Sequence, residues 1–157
     1  MTRLYSLLFI AALLFTASAC GSAKPPTAPA TQGNKVIASL QDLSSMYGKK
    51  NLSGFMRLIS DGYKDRQELS AALEAVFAKY DTAQFTVQYS RMYITVEDKG
   101  MTRATFNWDG SWETKGGSVL KNSGRATFVF DPKDARLVSF DGKNPFLPQP
   151  AETPGKK

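Results

Sequence analysis

Apolar residues return at intervals of four, three and four from Lys35 onward. Val36, Leu40, Leu43 and Tyr47 share one helical face, which Ile37 and Met46 widen, and Gly48 is a natural stop. Leu52, Phe55, Met56 and Ile59 predict a second, shorter helix closed by Asp61 and Gly62. The run "DRQE", residues 65–68, announces a third: Asp65 as N-cap with Glu68 three positions on has the form of a capping box. Leu69, Leu73, Val76, Phe77 and Tyr80 mark the inner face of that helix.

After Asp81 the period falls to two. Phe85, Val87 and Tyr89 lie on one parity but Met92, Ile94 and Val96 on the other, which predicts either two strands meeting near Ser90 or one long strand with a bulge there. "EDKG" turns the chain into a strand on which Thr102, Ala104, Phe106 and Trp108 share a face. Asp109-Gly110 reads as a hairpin tip or, preferably, as a bulge, because "KGGS" at 115–118 is itself a strong turn and "TFNWDGSWET" stays strand-like across the pair. Ala126, Phe128 and Phe130 form the next strand, "DPKD" the next turn, and Arg136 to Phe140 the last strand, which Pro145 ends. Helices followed by an antiparallel run of strands predict an α+β fold, with the helices on one face of the sheet. An apolar fraction of 42% supplies a core for one domain.

The first residues follow another logic. A single positive charge at Arg3, an apolar stretch from Leu4 to about Phe15 and the small residues of "TASAC" have the form of an export signal, and the stretch falls short of the roughly 20 apolar residues of a membrane span. The only cysteine, Cys20, stands at the cleavage boundary. "ASAC" resembles the lipobox of bacterial lipoproteins, although Ala17 stands where leucine is usual. That resemblance implies acylation of Cys20 by palmitate-type chains, and Gly21 in place of aspartate favours the outer membrane, facing the periplasm, in a cell with two membranes. An unpaired thiol in an oxidising compartment is a liability that acylation removes. "GSAKPPTAPATQG", residues 21–33, lacks large apolar side chains and reads as a spacer, with a reach of about 20 Å as a coil and about 40 Å as polyproline. The expected organisation is a signal peptide over 1–19, a lipidated cysteine and linker over 20–34, an α+β domain over 35–147 and a flexible tail over 148–157.

Composition narrows the chemistry. With no histidine and one cysteine, the chain has no Ser-His or Cys-His nucleophile pair, no His-ligated zinc and no internal disulfide. No metal site or cofactor is implied. The net charge of +6 is spread among acids rather than massed, which argues against nucleic acid as a partner and leaves room for weak attraction to anionic headgroups.

The order from Val36 to Phe146, with its bulged strands and closing "FDGKNPF", resembles the nuclear transport factor 2-like superfamily. The resemblance implies three N-terminal helices packed into a strongly curved antiparallel sheet, forming a cone with a pocket. A cystatin-like or lipocalin-like module is the competing fold. In enzymes of the superfamily the cone carries acid-base groups. Here the candidates are Glu97, Asp98, Asp109, Asp131, Asp134 and Asp141, all in or beside predicted turns, where acids ordinarily hold local backbone. Arg91, within a strand, reads as an exterior residue in preference to one facing a pocket. Tyr63, Phe106, Trp108, Trp112 and Phe128 are the candidates for lining the mouth of a cone that binds a small apolar ligand. The expected function is therefore a membrane-anchored, non-catalytic envelope lipoprotein that binds such a ligand or a protein partner. The alternatives are an isomerase- or hydrolase-type enzyme using a buried carboxylate and tyrosine, and a structural assembly component with a filled cone.

Overall fold

The computed structural model describes residues 28–149. Cys20, the leader, the start of the linker and the end of the tail lie outside the described residues. Helix α1 spans Ala28–Gly48, α2 Leu52–Arg57 and α3 Arg66–Lys79; strands β1 (Tyr80–Val96), β2 (Thr102–Thr114), β3 (Val119–Phe130) and β4 (Leu137–Gly142) follow. The strands form one antiparallel meander in the order β1-β2-β3-β4.

α1 starts earlier than its apolar stripe, so residues 28–34, read above as spacer, form its first turns. Pro29 sits in the opening turn, where a missing N–H costs nothing. Val36, Leu40, Leu43 and Tyr47 are fully buried, as the periodicity requires. Asn51 caps α2 by accepting from Gly54 N at 2.8 Å. The capping box expected at α3 does not form. Asp65 has left-handed backbone (φ 59°, ψ 31°) and its side chain makes no capping bond, since that bond needs the extended backbone of an ordinary N-cap.

β1 is one long strand, and its change of parity is a bulge. Gln88 pairs with Asn107 and Tyr93 with Thr105, so residues 89–92 stand opposite Phe106 alone. The extra residues flip the facing, and Ile94 meets Ala104 on the inner side just as Val87 meets Trp108. The bulge preferred at Asp109-Gly110 is absent: Asp109 pairs with Thr86 and Ser123, Gly110 with Phe85 and Asn122, and the ladder runs through unbroken. Glycine stands there for space. A Cβ at Gly110 would lie 2.3 Å from the Trp112 ring and 3.2 Å from that of Trp108, two indoles that close over the gap on the inner face.

β4 ends at Gly142, whose φ of 92° suits glycine and whose Cβ position would collide with Arg125 O at 2.7 Å. The chain then turns back under the helices. Asn144 Oδ1 accepts from Phe146 N at 2.9 Å, and Asn122 exchanges two hydrogen bonds with the Gln149 backbone. The segment through Gln149 is therefore held against β3, which includes the first two residues, 148 and 149, of the expected flexible tail; the rest of that expectation lies outside the described residues.

Candidate functional site

The cone formed by the helices and the inner face of the sheet is where a site of this architecture would lie. Phe146 occupies its centre. The ring is fully buried, with centroids 5.0 Å from Phe55, 5.3 Å from Phe85, 5.6 Å from Phe128, 5.9 Å from Tyr47 and 6.3 Å from Phe140. Edge-on and tilted contacts of this kind add to simple burial, because the positive ring edges meet negative faces.

One polar chain runs through the aromatics. Trp112 Nε1 donates to Tyr47 Oη at 2.6 Å, and Tyr47 Oη donates to the Phe146 carbonyl at 2.7 Å. Each buried donor thus has an acceptor, and the last acceptor is supplied by the C-terminal segment. Burial pushes the Tyr47 phenol above its ordinary range; the bond from Trp112 opposes this and the neighbouring Tyr80 reinforces it. The phenol is neutral and acts as a structural link.

Of the residues expected to line a mouth, Phe106, Trp108, Trp112 and Phe128 have no exposed surface. They are core. Phe106 and Phe128 meet edge-to-face at 4.9 Å, and Trp108 Nε1 is buried without an acceptor among the described residues. Tyr63 is apart from them, half-buried and stacked on Phe140 at 6.5 Å beside a shallow groove of about 240 Å³ that Leu69 and Leu147 also line. Burial, with Asp65 adding, raises its phenol. Sequence reasoning missed Phe146. The signal present was an aromatic directly after Pro145, where periodicity has ended.

The candidate acids are dispersed and engaged in local structure. Glu97 bonds Arg103, and Asp109, in mid-strand rather than in a turn, accepts from Gln88 at 2.7 Å. Asp131 Oδ1 accepts from the Lys133 and Asp134 amides, fixing the "DPKD" turn, and Asp141 accepts from Gly142 N. Arg136 gathers Asp61 at 3.1 Å and Asp134 at 3.3 Å, and the bond to Asp61 leads the causes that raise its guanidinium further. The Asp98 side chain lies outside the described residues. Arg91 is exposed, as expected. Among the described residues, Ser39 and Thr102 are the buried polar side chains besides the tyrosines and tryptophans of the core, and no cluster of acids or thiols could hold a metal. No helix among them is long and apolar enough to cross a membrane.

The outer sheet face is polar. A depression of about 420 Å³ on it is lined by Gln84, Thr86, Asp109, Ser111, Lys121 and Asn122. A second depression of about 400 Å³ lies between Val76, Tyr80, Leu120 and Leu147.

No family profile matches the sequence, and no curated protein sequence does. Solved structures do match. A nuclear transport factor 2-like superfamily protein from Salmonella enterica serovar Typhimurium superposes with a TM-score of 0.61 at 10% identity, over 80% of this chain and 98% of that one. The fold is the nuclear transport factor 2-like cone. Aln2 from a Streptomyces species (TM-score 0.62, 13% identity, 76% and 94% of the two chains) and PrhC from Penicillium brasilianum (0.60, 15%, 69% and 79%) share the cone. At such identities the likeness concerns architecture, and side chains inside the cone are this chain's own.

Proposed function

We propose that this chain is a lipid-anchored, non-catalytic module of the bacterial cell envelope that works by binding a protein partner through its surface. The observation that carries the reading is the insertion of Phe146. The volume that could receive a small molecule holds a side chain of the protein itself, ringed by Tyr47, Phe55, Phe85 and Phe128. The described acids that could serve acid-base chemistry lie on the outside, tied to neighbouring backbone, to arginines or, for Asp109, to Gln88. The anchor rests on the sequence: several acyl chains at about 0.8 kcal/mol per buried methylene hold a domain firmly on a bilayer.

The test is made on protein from its native membranes. Its intact mass should exceed that of the polypeptide from Cys20 onward by the acyl groups, and Cys20→Ser should move it to the soluble fraction. Unchanged membrane retention of the serine variant would remove the anchor. Trp108 and Trp112 fluorescence should stay unchanged across a library of apolar small molecules, and a saturable response would return the cone to ligand binding.

A further inference from the structure

A sheet that does not close has two edges, and an open edge pairs with other chains unless something blunts it. At β4 the edge is short and its beginning is occupied: Ser60 N donates to Leu137 O at 2.8 Å and Leu137 N to Leu58 O at 2.9 Å. The first half of β1 is occupied as well. Ser44 Oγ donates to Phe85 O, and Lys50 Nζ to Tyr80 O at 2.8 Å.

The second half of β1 has no such cover. Among the described residues, no side chain or loop bonds the outward backbone of Met92 to Val96. This stretch, "MYITV", contains no charge, proline or glycine and is rich in β-branched and aromatic residues, the composition that pairs most readily. Tyr93 is 70% exposed and Val96 40%.

Register decides which groups face out. Backbone groups alternate along an antiparallel pair, and the bond from Ser44 places the Phe85 carbonyl on the outward set. Asn107 and Asp109 therefore bond toward β1. The unbroken β2 ladder carries that alternation to Thr105 and Arg103, which stand opposite Tyr93 and Thr95. Met92, Ile94 and Val96 are left with outward N–H and C=O groups.

We propose that this edge pairs with the same edge of a second copy, antiparallel about a two-fold axis at Ile94, extending the four-stranded sheet across two molecules. In that register the outward residues bond each other, Met92 with Val96 of the second copy and Ile94 with Ile94. Tyr93 packs beside Thr95, and Arg91 stands opposite Glu97, twice by symmetry, so that Glu97 lies between Arg103 of its own chain and Arg91 of the second copy. Glu97 is in extended backbone (φ −91°, ψ 173°) and continues the strand direction. The charges select the occupant: the same short segment carries a cation and an anion equidistant from Ile94, which makes it complementary to itself reversed. The pairing does not depend on the lipid tether.

The test is sedimentation equilibrium of the full chain in density-matched detergent. In an Arg103→Gln background, which removes the intrachain partner of Glu97, the expected result is a reversible dimer whose dissociation constant rises roughly tenfold or more in Arg91→Glu and in Glu97→Arg, where like charges face each other twice, and returns toward the original in the double variant. Both positions are exposed, and melting curves of the variants report whether each monomer is intact. A chain that remains monomeric at all concentrations overturns the proposal. So does a dimer indifferent to both reversals, which would place the contact elsewhere, and so does failure of the double variant to recover.

Discussion

From Tyr80 to Gln88, β1 sends Ala83, Phe85 and Val87 into the core while Ser44 and Lys50 bond its outer carbonyls. From Tyr89 the same strand bulges, regains its pairing with β2 from Tyr93 to Val96, and has only Met92 and Ile94 partly packed, with Tyr93 facing solvent. Both halves have high β-propensity and the same ladder on one side, so neither propensity nor pairing distinguishes them. What differs is the other side: α1 and the C-terminal segment lie under the first half, and the bulge at residues 89–92 carries the second beyond them. A strand is stabilised by what covers it, and the uncovered half is free to interact.

Substitutions that separate the halves should differ most in the core. Phe146→Ala removes the ring against which Phe85 packs at 5.3 Å and leaves a cavity among five aromatics, at a cost of about 3–5 kcal/mol in urea unfolding. A loss below about 1 kcal/mol would mean that the cone collapses around the gap or that Phe146 is peripheral. Tyr47→Phe is a smaller change with a sharper signature. It deprives Trp112 Nε1 of its acceptor and the Phe146 carbonyl of its donor, costing about 1–3 kcal/mol.

The same hydroxyl sets an alkaline limit. Its folded-state value lies above the ordinary 10.0, so above that pH the unfolded chain releases the proton first and stability falls as pH rises. Tyr63 and Tyr89, also raised by burial, act in the same direction, so Tyr47→Phe should flatten the alkaline decline without abolishing it. An unchanged slope would show that the Tyr47 phenol titrates freely. The smallest effect belongs to the far half of β1. Tyr93→Ser should move monomer stability by no more than about 0.5 kcal/mol in the same assay, whereas a loss comparable to that of Tyr47→Phe would mean that the two halves are not distinct.

Much of this architecture was legible because side-chain period reports facing. The stripe Val36, Leu40, Leu43, Tyr47 means a helix, and the switch of parity between Tyr89 and Met92 left two strands or one bulged strand, of which the structure has the bulged strand. The misreadings fall where a local signal has two meanings. Asp-Gly in mid-strand suggested a backbone irregularity, yet Gly110 is small to admit two tryptophans. "DRQE" has the letters of a capping box, yet Asp65 takes a left-handed backbone conformation that cannot use it. The aromatics were countable, but whether they surround a ligand or each other turned on Phe146. Its place is fixed by a chain reversal at Gly142 that leaves no periodic trace.

The bond between Tyr47 and the Phe146 carbonyl joins residues 99 apart in sequence. Synthesis delivers the helices and the inner faces of all four strands before the residue that completes their packing. Until Phe146 emerges, a growing polypeptide has an aromatic hollow with no centre and an indole-phenol pair with no terminal acceptor. Contacts so distant form late and slowly. The order of translation itself therefore delays consolidation of the core until the segment carrying Phe146 has left the ribosome.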